Sequence, residues 1–96
     1  MFLHGKVVFD SGKASSDCVI RDLTIHGAKV RPPAEIPVPH QLYLIETRRG
    51  VAYVARVTWA RDGELGLEFH GSQELNNPTT PVFEIMRRIW LEHLAR

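Results

Sequence analysis

The chain has 96 residues, 44% of them apolar, and twelve lysines and arginines against eleven aspartates and glutamates give a formal charge of +1. That length fits one domain with a modest core and is too short for a catalytic domain with a separate cofactor lobe. The charge balance lacks the basic excess of a general nucleic-acid binder. A lone cysteine, Cys18, excludes an internal disulfide, and with neither a long apolar run nor a basic-then-apolar start the expectation is a cytoplasmic protein without membrane insertion.

In chain order, Lys6 to Asp10 reads as an opening strand closed by Ser11-Gly12, Asp17 to Leu23 as a second strand and Gly27 to Arg31 as a third. Four prolines between Pro32 and Pro39 remove backbone donors, so this stretch is expected to be a loop crossing between parts of a sheet. Gln41 to Thr47 makes a fourth strand. In the next segment Val51, Tyr53, Ala55, Val57 and Trp59 alternate onto one face, expected to point inward, with Arg56 and Thr58 on the other. Asp62-Gly63 is a tight-turn signal leading into Leu65, Leu67 and Phe69, the antiparallel partner. After Asn76-Asn77-Pro78 the period changes: Thr80 is a candidate N-cap, Pro81 the first helical residue, and Val82, Phe83, Met86, Ile89, Trp90, His93 and Leu94 share one face. The fold expected is mainly β, a six-stranded antiparallel barrel over about 4–71 with a C-terminal helix over about 81–95, all in one domain spanning 1–96. The helix is expected to cap one end of the barrel, and Leu91 on its polar side to leave a small exposed apolar spot.

Chemistry-bearing clusters are sparse. The five histidines, His4, His26, His40, His70 and His93, show no metal-ligand spacing with one another or with Cys18. Ser15-Ser16-Asp17 lacks a glycine elbow and a partnered histidine, and no phosphate loop or dinucleotide fingerprint is present, so neither an enzyme nor a cofactor is expected. Cys18, inside an apolar strand, reads as a small core residue.

Between the second and third strands lies Asp22-x-Thr24-x-x-Gly27. A carboxylate and a hydroxyl at a strand-to-strand corner can meet a ligand, and the glycine permits a positive φ and a close approach. The pattern resembles the second binding motif of PilZ domains, bacterial receptors for cyclic di-GMP, with Thr24 in place of the usual serine. Gly5-Lys6-Val7-Val8-Phe9 before it, and Val57-x-Trp59 and Gly66-Leu67-x-Phe69 after it, look like strands of the same family, so the resemblance covers roughly residues 5 to 70. It implies a cyclic di-GMP-binding signalling domain in which Asp22 accepts from a guanine edge, Thr24 bonds the ligand or braces the turn and Gly27 keeps the backbone low. Arg21, directly before Asp22, is a candidate phosphate contact, although position 21 alternates out of the core and its ordinary reading is a surface residue. His26, inside the motif, could face a base, although turn filler is its ordinary reading.

The family's first motif, two arginines separated by three residues, would fall upstream of Met1; no arginine precedes Arg21. Without those guanidinium groups a site would lose about 3 to 6 kcal/mol, roughly two to four decades of affinity. Arg48-Arg49-Gly50 joins two strands and would ordinarily be a solvated hairpin tip, yet over the mouth of a barrel it becomes a candidate phosphate contact. The competing expectation is a PilZ-like adaptor that binds a protein partner through the barrel surface or the helix.

Overall fold

The computed structural model describes residues 2–32 and 38–95. Its elements are β1 (Leu3–Phe9), β2 (Ala14–Arg21), β3 (Gly27–Arg31), β4 (Gln41–Glu46), β5 (Val51–Arg61), β6 (Glu64–Glu74) and α1 (Pro81–Leu94), with a short 3-10 turn, Asp10–Gly12, between β1 and β2. The strands close into a barrel in the order β1-β2-β3-β6-β5-β4, every pair antiparallel. Closure leaves no unpaired edge for another chain to extend. The proline-rich crossing runs between β3 and β4, and its middle, 33–37, lies outside the described residues.

Two cores follow from strand alternation. Val7, Cys18, Ile20, Val30, Leu44 and Leu67 fill the barrel interior with their neighbours. The residues of opposite parity on adjacent strands, Val8 on β1, Ile45 on β4 and Ala52 on β5, face outward and are buried by Met86 and Trp90 of α1 together with Leu75. The helix therefore covers the outside of the barrel wall and does not cap an end. It runs from the β1–β2 turn, where Ile85 meets Gly12, to the β4–β5 hairpin, where Trp90 meets Gly50. Tyr43 and Phe83 add an edge-to-face contact at 5.9 Å. Thr80 occupies the N-cap position with extended backbone, but its side chain makes no capping hydrogen bond. Leu91 and Leu94 stay 42% and 54% exposed.

The inward face expected along β5 holds for Val51, Tyr53, Ala55 and Val57 and fails at Trp59. A register shift pairs Val57 with Leu67 but Trp59 with Gly66, so one extra residue on β5 reverses the side-chain parity. Trp59 consequently lies over Gly66 on the outer surface, with the Arg61 guanidinium 5.4 Å from its ring. The Asp62-Gly63 hairpin forms as expected, both residues at positive φ (53° and 76°) as a two-residue connection of right-handed twist requires.

Candidate functional site at the barrel mouth

Antiparallel alternation brings the start of β1, the β2–β3 turn, the β4–β5 hairpin and the end of β6 to the same mouth of the barrel. The Asp-x-Thr-x-x-Gly stretch is the β2–β3 turn. Strand β2 ends at Arg21, short of the Leu23 expected, because Asp22 takes a left-handed conformation, φ 52°. Aspartate tolerates that region better than most residues. The positive φ expected at Gly27 is thus found at Asp22 instead. Gly27 serves the close approach alone: a Cβ there would collide with the carbonyl oxygen of Leu67 on β6.

Thr24 braces this turn. Its backbone N–H donates to the Gly27 carbonyl at 2.9 Å, its hydroxyl donates to the same oxygen at 3.3 Å, and its Oγ1 accepts from the N–H of His26 and of Gly27 at 3.1 and 3.3 Å. The His26 carbonyl in turn accepts from the Phe69 N–H at 2.8 Å, which ties the turn to β6. The remaining motif residues look elsewhere. Asp22 pairs with Lys29 at 3.5 Å, both largely exposed, a contact of small energetic weight. Arg21 pairs with Glu64 at 3.1 Å and lies over the Phe2 ring at 5.4 Å.

Beside the turn is a pocket of about 390 Å³. It is lined by Leu23, Thr24 and Ile25 of the β2–β3 turn, Arg49 of the β4–β5 hairpin, Tyr53 of β5, and Phe69, Gly71 and Ser72 of β6. The two rings stack with centroids 4.2 Å apart and planes 16° from parallel. Ile25 is 85% exposed. Of the four motif residues expected to meet a ligand, the structure brings Thr24 to this pocket and leaves Arg21, Asp22 and Gly27 outside its lining. His26 does not line it either.

The hairpin side carries a group that sequence reasoning missed, Glu46. It continues the inward parity of Leu42 and Leu44 and is fully buried. Its Oε2 accepts the Arg49 backbone N–H at 2.6 Å and its Oε1 the Arg49 Nε–H at 3.2 Å, while Arg49 Nη2 donates to the Tyr53 hydroxyl at 3.1 Å. The only sequence signal was a carboxylate at an inward position of an apolar strand. Elsewhere, Asp17 pairs with Lys6 at 2.6 Å, and burial pushes the Cys18 thiol up to about 12, with the neighbouring Asp17 charge adding to the effect. Among the described residues no three His, Cys, Asp or Glu side chains gather as metal ligands, and no helix is long and apolar enough to cross a membrane.

No protein-family model matches the chain, and no curated protein matches it in sequence. Among solved structures, the crystal structure of the PilZ domain of CeSA from a cellulose-synthesizing bacterium superposes with a TM-score of 0.54 at 18% identity, covering 97% of this chain and 94% of that one. The fold is that of a PilZ domain. The PilZ-like architecture extends over nearly the whole chain, including α1, beyond the 5–70 stretch that carries the sequence resemblance.

Proposed function

We propose that this chain is a PilZ-type receptor domain for cyclic di-GMP. The observation that carries the reading is the Asp22-x-Thr24-x-x-Gly27 turn: it stands at the barrel mouth, internally braced, directly beside a pocket of small-molecule size. A preformed turn spends little ordering entropy when ligand arrives, and Asp22 keeps an exposed carboxylate that a guanine edge can recruit from its weak pair with Lys29. The domain would act by changing shape or partner on binding, without catalysis. Calorimetric titration of cyclic di-GMP, with cyclic di-AMP and GTP as controls, tests it. Selective but weakened binding of cyclic di-GMP is the expected result, given the missing arginine pair, and binding tighter than about ten micromolar would show that other residues hold the phosphates; no heat up to millimolar cyclic di-GMP would overturn the reading.

One observation favours a second reading, a PilZ-like adaptor that contacts a protein partner. Arg21 is already engaged by Glu64 and Phe2, and it lies outside the pocket lining. The absence of cyclic di-GMP binding, with α1 protected by a signalling partner in hydrogen exchange, is the result that would select it.

A further inference from the structure

The mouth pocket has chemistry that the turn does not supply. Arg49 stands at its rim with its backbone N–H and its Nε–H both held by one carboxylate, Glu46, and its Nη2 by the Tyr53 hydroxyl. Burying a carboxylate is costly. Here the burial fixes a guanidinium in one orientation at a pocket edge, with N–H donors to spare for a further acceptor. Glu46 takes the Nε side of the fork, which leaves terminal nitrogens available for a phosphate.

The rest of the lining is largely apolar: Tyr53 and Phe69, whose rings stack on each other, with Leu23 and Ile25. A fixed guanidinium that shares one pocket with aromatic rings is complementary to a planar ring joined to a phosphate. About 390 Å³ lies near the lower end of the range for ligand pockets and suits one nucleotide unit.

We infer that the barrel mouth receives a single nucleotide unit, one half of the cyclic dinucleotide, with Arg49 on its phosphate, Phe69 under its base and Glu46 as the residue that positions Arg49. The identity of the whole ligand rests on the function proposed above; the pocket's preference for a phosphate-bearing planar unit does not.

Amide chemical-shift mapping with guanosine 5′-monophosphate at millimolar concentration, and separately with cyclic di-GMP, tests the assignment on the full chain. Both ligands are expected to move the amides of Leu23, Thr24, Ile25, Arg49, Gly71 and Ser72. Arg49→Lys keeps a charge for Glu46 but loses the fork, and Ile25→Glu adds a negative charge at an exposed rim position without touching the core. Each should weaken both ligands roughly tenfold or more with the melting transition retained. For Glu46 the readout is spectroscopic: the sheltered Arg49 Nε–H resonance should be lost to solvent exchange in Glu46→Gln. If the monophosphate moves these amides and cyclic di-GMP does not bind, the pocket assignment stands and the cyclic di-GMP reading falls. If cyclic di-GMP binds both variants normally and moves only amides around Asp22 and Gly27, the pocket assignment is overturned and that reading survives. Silence at the mouth with both ligands overturns both.

Discussion

At Gly27 a missing methyl group holds two strands together. Ala28 pairs with Leu67 and Gly27 with Glu68, and an added Cβ at position 27 would meet the Leu67 carbonyl oxygen, backbone that cannot swing aside. Gly27→Ala is therefore expected to destabilise the barrel by about 2–3 kcal/mol, read by urea denaturation; an unchanged midpoint would refute the steric account. Asp22→Asn, which keeps the left-handed propensity, should leave stability unaltered, so any loss of ligand affinity in that variant reports on the carboxylate alone. Cys18 gives a pH-dependent prediction. Its thiol pKa is raised from an ordinary 9.0 to about 12, so the folded state favours the neutral form. The corresponding stability is fully present below pH 9 and declines as pH rises toward 12, because the unfolded chain ionises first. One unit above 9, the wild type should have lost about 1.4 kcal/mol relative to its own value at neutral pH, a loss absent from Cys18→Ala. Thiol-specific reagents at pH 8 should label Cys18 slowly until the chain is unfolded.

At the level of elements, the β4–β5 hairpin and α1 are joined by one hydrogen bond: Trp90 Nε1–H donates to the Thr47 carbonyl at 2.8 Å, with the indole otherwise packed against Gly50. Gly50 sits at φ 66°, and a Cβ there would overlap the Trp90 ring, so the hairpin's shape and the helix's seat depend on each other. Trp90→Phe preserves an aromatic ring but leaves a buried carbonyl without that donor, and should cost about 1–3 kcal/mol in denaturant titration. Elements with local signals were legible in the sequence. The bounds of β3, the Asp62-Gly63 turn and the Pro81 helix start follow from alternation, turn residues and proline placement. What escaped depends on distant partners. The parity reversal at Trp59 needs the register of β6, and the wall beneath the helix needs barrel closure before Val8, Ile45 and Ala52 can come together. The candidate site divides the same way. The turn is visible in Asp22, Thr24 and Gly27, whereas Arg21 is diverted by Glu64, 43 residues away, and Arg49 gains its orientation from Glu46 and Tyr53 only once the hairpin folds.

Across the whole molecule, the barrel offers one mouth where a turn, a hairpin and the incoming chain meet, and an outer wall sealed by a helix that ends beside that same mouth. With every strand paired on both sides, assembly through strand addition is disfavoured, and partners are left with side-chain surfaces such as Leu91 and Leu94 on the free side of α1. The indole bond to Thr47 has a thermodynamic corollary. Arg49, two residues further along the hairpin, belongs to the pocket, so if an occupant bonded to Arg49 shifts the hairpin it also loads the tether of the helix, and a partner that moves the helix would then alter the pocket. Reciprocity then obliges the two events to change each other's affinity by an equal factor, whichever comes first. Measured as nucleotide affinity in Trp90→Phe against the wild type, a difference would make α1 the output arm of the barrel, and equal affinities would make it a passive cover.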